Sequence, residues 1–222
     1  MSSPLARSPI PPGPATERDG WEVDARVPGG PLTLSDETPL AKVHVRAPFD
    51  GASRAALGVG FRRTRRADLG AGEVLVVGSG PGEWLVLGAP GTAGALRAAV
   101  EQRLAGTGEF TSVLDLTHGR ALVRLHGAAA PAVLAGVCAI DLADAVTPDG
   151  SAFRTSVAGV VTDVVRDDLG GTQRSGAAAS DNGGVRSYLL HCERSSGRYL
   201  ADALLDAGRL SGLAMTGFRG LA

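Results

Sequence analysis

Ser112, Asp115 and His118 stand close together and supply the residue types of a hydrolytic triad: a nucleophile, a carboxylate and a base. A triad works only when the base reaches the nucleophile and the acid orients the base, usually from separate elements. On a strand, Ser112 and Asp115 point to opposite faces, and the chain has no G-x-S-x-G elbow. The plainer reading of Asp115-Leu116-Thr117-His118-Gly119-Arg120 is a polar turn between strands. A second candidate is Val76-Val77-Gly78-Ser79-Gly80-Pro81-Gly82-Glu83, which has the look of a dinucleotide fingerprint. That fingerprint needs glycines that open a helix, whose N-terminus then receives the pyrophosphate. Here Glu83 takes the third glycine position, Pro81 interrupts the loop, and Trp84-Leu85-Val86-Leu87 reads as a strand. A hairpin turn is the expected structure.

The remaining chemistry-bearing residues are scattered. His44, His118, His126 and His191 share no metal-ligand spacing, and His191 and Cys192, adjacent on a strand, face opposite ways. Asp141, Asp144, Asp163, Asp167 and Asp168 could include a catalytic carboxylate, although solvated turns account for all five. Arg154-Thr155 opens a long apolar strand, and an arginine there suits a carboxylate clamp, as an interface anchor or a substrate ligand. Positive charge is nearly all arginine; Lys42 is the only lysine, which leaves none placed for a Schiff base or a phosphate-binding loop. The sequence therefore nominates no catalytic, cofactor-binding or metal-ligating residue.

Composition narrows the classes further. The 222 residues are 44% hydrophobic, enough for a sizeable core, but only 4% aromatic, so that core is built from Ala, Val and Leu and offers no base-stacking platform. A net charge of −1 favours neither nucleic acid nor a membrane surface. The basic run Arg62-Arg63-Thr64-Arg65-Arg66 suits a phosphate patch or, more plainly, a solvated loop, with Asp68 and Glu73 close behind it. Cys138 and Cys192 form no CxxC pair and read as reduced, buried thiols, with a disulfide left open. Neither a signal pattern nor a membrane-length apolar run is seen, so a soluble, cytoplasmic protein is expected.

These residues must be positioned by elements that the periodicity outlines. Strands are expected over 41–46, 73–77, 84–87 and 110–116, with a short helical turn at 51–57. A helix N-capped by Thr92 follows, its stripe made of Leu96, Val100 and Leu104. In the second half, 121–126 is a strand with Leu122, Arg124 and His126 on one face. Pro131 leads a short helix to Ala135. Strands follow over 153–157, 160–165 and 186–192, and Ser195 or Ser196 caps a last helix through Ala207 that turns Tyr199, Leu200, Ala203 and Leu204 inward. The expected fold class is α+β, two fused ferredoxin-like β/α units. Eight of the 13 prolines fall before residue 40, so 1–38 is expected to be a disordered extension in which Trp21 alone could anchor. Residues 39–210 then form the α+β domain, with a flexible loop at 169–184 and a loose tail at 211–222.

The ordered set of motifs resembles the gamma subunit of heterotetrameric sarcosine oxidase. It comprises Gly82-Glu83-Trp84-Leu85-Val86-Leu87, the Asp115–Arg120 turn, Ala132-Val133-Leu134 leading into Cys138-Ala139-Ile140-Asp141-Leu142, Phe153-Arg154-Thr155 and Glu193-Arg194-Ser195. That family is similar in fold to the folate-binding T-protein of the glycine cleavage system. The resemblance implies a non-catalytic, architectural subunit with alpha, beta and delta partners, and no cofactor in this chain. NAD and the folate region belong to the alpha subunit, and the flavins, FAD and FMN, to the beta subunit, which oxidises sarcosine to glycine. The one-carbon unit leaves as formaldehyde, or as methylenetetrahydrofolate when folate is present, with hydrogen peroxide as co-product. Two rival readings are a stand-alone folate-binding aminomethyltransferase-like protein, which needs a carboxylate in a central pocket, and an accessory subunit of another methylated-amine oxidase or dehydrogenase.

Overall fold

A computed structural model describes residues 4–27, 29–170 and 184–221. In chain order the strands and α-helices are β1 (Ala6–Arg7), β2 (Ala15–Arg18), β3 (Trp21–Asp24), β4 (Leu32–Asp36), β5 (Ala41–Arg46), α1 (Ala52–Leu57), β6 (Thr64–Asp68), β7 (Glu73–Gly80), β8 (Glu83–Gly88) and α2 (Ala93–Ala105). They continue with β9 (Ser112–Asp115), β10 (Arg120–Gly127), α3 (Ala130–Ala135), β11 (Ala152–Val157), β12 (Val160–Arg166), β13 (Ser187–Glu193), α4 (Gly197–Gly208) and β14 (Ala214–Thr216).

Strand periodicity explains the layering. In β7 every residue from Val74 to Val77 is buried: Val74 and Val76 join one core, Leu75 and Val77 another. Trp84 and Val86 of β8 divide from Leu85 and Leu87 in the same way, as do Val123 and Leu125 of β10 from Leu122. A strand with both faces apolar must be covered on both sides. The five-stranded sheet, ordered β6-β7-β8-β5-β9, carries Leu57 of α1 and Leu96, Val100 and Leu104 of α2 on its outer face. The six-stranded sheet, ordered β11-β12-β13-β10-β4-β14, carries α3 and α4 on its own. Between the sheets lies a third core containing Leu40, Leu85, Leu122, Val165 and Leu189. The result is four layers, helix, sheet, sheet, helix.

Both halves run β-α-β-β-β-α, and β6-β7-β8-β5 repeats as β11-β12-β13-β10. The mixed α/β character stands, but the ferredoxin-like description needs correction, because that unit has two strands between its helices and here there are three. The element missed in the first half is β6, the segment read as a basic loop; it pairs with β7 from Thr64↔Val77 to Asp68↔Glu73. The hairpin between β7 and β8 forms as expected, with Gly82 at φ +69, where a Cβ would come within 2.5 Å of the Ala47 carbonyl oxygen.

Both ends of the chain are also corrected. Within 1–38, β4 lies between β10 and β14 in the six-stranded sheet, with Leu32 and Leu34 in its core. The strands β1, β3 and β2 form a small sheet in which Trp21 and Val23 are buried. The composition average hid these few apolar residues, each of which lands on packed surface. The tail is ordered too: β14 pairs in parallel with β4, and Leu213 is buried. Within the 169–184 loop, residues 171–183 lie outside the described ones; Leu169 and Val185 bridge at its base. Tyr199, expected inward, is exposed and donates from its hydroxyl to the Ala158 carbonyl (3.1 Å), while Leu200, Ala201 and Leu204 are buried. Thr92 precedes α2 but turns its hydroxyl to the Ala89 carbonyl instead of capping the helix.

Candidate functional site

The faces that the two sheets turn toward each other are apolar in the middle and charged at the ends. On β5, Ala41, Val43 and Val45 serve the outer core, so Lys42, His44 and Arg46 face the opposite sheet. Along that row exposure rises from the buried Lys42 through the half-buried His44 to the exposed Arg46. On β12 the same gradient runs from the buried Val165 through Asp163 to Val161, which is 70% exposed. Leu87, Leu85 and Glu83 of β8 repeat it, and so do Leu122 and Arg120 of β10. The sandwich is therefore shut at one end and splayed into a cleft at the other.

At the shut end, Asp167 is fully buried between two arginines. One of its oxygens accepts from Arg124 Nη1 and Nη2, both at 3.0 Å, and the other accepts from Arg66 Nη2 at 2.9 Å. Arg124 Nη1 also donates to the Ser187 hydroxyl (2.7 Å). Close by, the buried Glu37 accepts from the Ser35 hydroxyl (2.6 Å) and from the backbone N–H groups of Arg219 (3.2 Å) and Gly220 (2.8 Å). Burial raises the pKa of Glu37, with Arg124 and these hydrogen bonds opposing. Each carboxylate is consumed by internal partners, which is how a buried charge is tolerated.

At the open end the charges form a chain across the sheets. Glu83 binds Arg46 (2.9 Å) and Arg154 (3.2 Å), and Arg154 continues to Asp163 (2.7 Å). Arg154, Asp163 and His191 lie side by side on β11, β12 and β13 through their register. His191 Nδ1 contacts Asp163 at 3.4 Å, and its Nε2 is buried without a partner among the described residues. Burial lowers the His191 pKa against the pull of Asp163; burial raises that of Asp163, yet His191 and Arg154 together hold it below the usual carboxylate range.

A histidine whose folded pKa is lowered binds fewer protons than in the unfolded chain between that value and about 6.5. The stability it supports is complete above that pH and is lost as pH falls below it. The advantage of the wild type over His191→Gln should therefore be larger at pH 7.5 than at pH 5, as read by denaturant titration. An equal difference at both pH values would remove His191 from the acid response.

The body is two sheets packed face to face, antiparallel apart from the β4–β14 pair, with helices outside and a repeated strand order. The chain has a T-protein-like fold. It is similar to a chain of the heterotetrameric sarcosine oxidase from Corynebacterium sp. U-96, in complex with pyrrole 2-carboxylate, with TM-score 0.62 and 25% identity over 86% of this chain and 90% of that chain. It is also similar to the glycine cleavage system aminomethyltransferase T from Bartonella henselae, with TM-score 0.67 and 18% identity, covering 91% of this chain but only 55% of that one. This chain thus spans about half the length of the aminomethyltransferase. No protein-family model matches the chain, and no curated protein matches it by sequence.

Within this T-protein-like body the residues first considered for chemistry are dispersed. The Asp115 carboxylate accepts from the Thr117 N–H (2.8 Å), and the His118 ring stacks on Trp21, with centroids 4.9 Å apart and planes inclined by 10°. Ser112 faces the cleft from β9, on the side opposite Asp115. His126 is partly buried with its pKa lowered by burial, and His44, lowered for the same reason, sits among Arg46, Arg120 and Arg154. Asp141 receives the Ala143 N–H, Asp144 binds Arg166 and Arg186, and Asp168 binds Arg166. Cys138 and Cys192 are free and buried, and burial pushes the Cys192 thiol up to about 11. Among the described residues no cluster of His, Cys, Asp and Glu could hold a metal ion, and no helix is long and apolar enough to cross a membrane. Two open hollows, one beside α1 lined by Asp50, Arg54 and Val59 and one beside α3 lined by Pro131 and Arg186, include none of Glu37, Glu83, Asp163 and Asp167 in their lining. Arg154 was visible in the sequence as a carboxylate clamp; its partners Glu83 and Asp163, and the pair Arg66 and Asp167, were not. Only the alternation along β10 and β12, which puts Arg124 and Asp163 on inward faces, hinted at them.

Proposed function

We propose that the chain is the gamma subunit of a heterotetrameric sarcosine oxidase, a non-catalytic member that supports oxidative demethylation of sarcosine to glycine. The one-carbon unit leaves as formaldehyde or methylenetetrahydrofolate, with hydrogen peroxide as co-product. On this reading NAD, FAD, FMN and tetrahydrofolate reside in the alpha, beta and delta partners, and the assembly is cytoplasmic, as two unpaired thiols suit. The observation that carries it is reciprocal coverage: the match to the sarcosine oxidase chain runs over 86% of this chain and 90% of that one. The aminomethyltransferase match covers 55% of that chain at 18% identity, so it supports the fold and carries no activity to this chain. A stand-alone folate protein also needs a carboxylate available in a central pocket, whereas Asp167, Asp163 and Glu37 are held by arginines, a histidine and backbone amides.

The test is affinity purification of the tagged full chain from its native host, with absorbance in the flavin bands and sarcosine-dependent oxygen uptake measured on the eluate. Co-elution with flavin-bearing partners and oxygen uptake is expected. A chain that elutes alone and binds tetrahydrofolate would overturn the subunit reading in favour of the independent folate protein. Sarcosine oxidation by the isolated chain would overturn the non-catalytic role.

A further inference from the structure

In the middle of the open end the accessible charges are guanidiniums, with the exposed carboxylate of Glu193, paired to Arg120, at the margin. Its central carboxylates lie low and its guanidiniums lie on top: side-chain exposure is 18% for Glu83 and 13% for Asp163, against 66% for Arg46 and 47% for Arg154. Arg46 and Arg154 grip different oxygens of the same Glu83 carboxylate, which holds the two guanidiniums side by side. An arginine has five N–H donors, and each of these spends only part of its fork on Glu83 and Asp163. The outward N–H groups present a double donor surface suited to an incoming carboxylate.

Next to this pair the five-stranded sheet ends at β9, one of whose rows of backbone N–H and C=O groups has no neighbouring strand. Natural edges are guarded by lysine, proline, bulges or a covering element. β9 is a short edge, Ser-Val-Leu-Asp, ending on the exposed Asp115; on its cleft side it carries Leu114, 51% exposed, with Phe110, 91% exposed, just before it. Ser112 pairs with Arg46 and Leu114 with His44, so Leu114 and Arg46 share the cleft-facing side of the sheet, and Arg154 joins Arg46 through Glu83.

We propose that this cleft is the docking surface for an extended acidic segment of a partner protein. The segment runs along β9, sets a carboxylate on the Arg46–Arg154 pair and lays an apolar side chain against Leu114. Strand side chains alternate, so the fitting sequence alternates acidic and apolar residues. The inference rests on the subunit reading above, and it names the face by which the chain joins its assembly.

The probe is the capped, fluorescein-labelled pentapeptide Val-Glu-Leu-Glu-Val, titrated against the full chain by fluorescence anisotropy, with Val-Lys-Leu-Lys-Val as the charge-reversed control. The acidic peptide is expected to bind at least about tenfold more tightly than the basic one, and to weaken with added salt. Arg46→Glu and Leu114→Asp should each weaken it by about tenfold or more, while Leu210→Asp, at a 98% exposed position outside the cleft, should leave it unchanged. Both cleft positions are solvent-facing; if Arg46→Glu fails to fold, Leu114→Asp decides. Equal affinity for the two peptides, indifference to the cleft variants, or no binding at about 1 mM would overturn the proposal. In the affinity purification the chain carrying both Arg46→Glu and Leu114→Asp should lose partners that the wild type retains. Partners retained by both would overturn the docking face while the subunit reading stands. A wild type that captures none, yet binds the acidic peptide at the cleft, would overturn the subunit reading alone.

Discussion

Asp167→Ala is expected to cost the fold about 3–5 kcal/mol, the range for removing one partner of a buried ion pair. Since a domain of this kind is stable by about 5–15 kcal/mol in total, the variant should be close to unfolded at moderate temperature. The reason is the company Asp167 keeps. Its carboxylate is the acid held between Arg124, itself fully buried, and Arg66, whose side chain is 19% exposed. Arg66 keeps its contact with Glu73, but among the described residues Arg124 would retain only the Ser187 hydroxyl and the residue-167 carbonyl, and its Nε already has no partner there. An unpaired guanidinium in the interior is far costlier than no charge at all. Arg124→Met combined with Asp167→Leu should therefore recover much of what either single change loses. Denaturant titration of the two single variants and the double variant gives the coupling. Asp167→Ala within about 1 kcal/mol of wild type would sink the account.

Lys42→Met should have the next largest effect, about 3 kcal/mol at neutral pH, and the loss should grow as the solution is made alkaline. The side chain has no solvent exposure, and Nζ donates to the carbonyl oxygens of Thr38 (2.6 Å), Leu40 (2.9 Å) and Thr117 (3.3 Å). Methionine fills the volume but leaves these acceptors without a donor. Burial pushes the Lys42 pKa down to about 7, with the nearby carboxylates of Asp36 and Asp115 pulling the other way. Between that value and about 10.4 the unfolded chain binds the extra proton, so this residue makes stability rise with pH across the window. The variant lacks that rise, and the gap between the two proteins should widen from pH 7 to pH 10. Stability curves at several pH values check this; a constant gap would show that Lys42 does not titrate in the window. A second readout is chemical. As the chain's only lysine, Lys42 should resist an amine-acylating reagent in the folded protein and react once denaturant is added. Rapid acylation under native conditions would contradict its burial.

At the shut end of the sandwich the buried carboxylates of Asp167 and Glu37 are held by internal partners from both sheets and from the C-terminal segment. At the open end the central carboxylates are again paired, but the arginines are the more exposed partners, beside the short edge strand β9.

Much of the local architecture was legible in the sequence. Alternation marked the second-half strands, placed Leu122, Arg124 and His126 of β10 on one face, and separated His191 from Cys192. Pro131 and the Leu96–Val100–Leu104 stripe marked their helices, and Pro81-Gly82 marked a hairpin in place of a nucleotide loop. These features rest on periods of 2 and 3.6 residues and on backbone restrictions, which neighbouring residues alone impose. What the sequence could not reveal was what lay opposite each face. The arginines of β6 looked like a solvated loop because their counter-charge, Asp167, is 101 residues away from Arg66. The proline-rich N-terminal segment looked disordered apart from its one anchor, Trp21, because composition averages over Leu32 and Leu34, which find a core built by later strands. Local periodicity determined which elements form and which side of each is apolar. Only the packing of one sheet on the other decided which charges are buried in pairs, which histidine loses its water, and which arginines remain at the surface, because those outcomes depend on the low-dielectric space that two distant segments close between them.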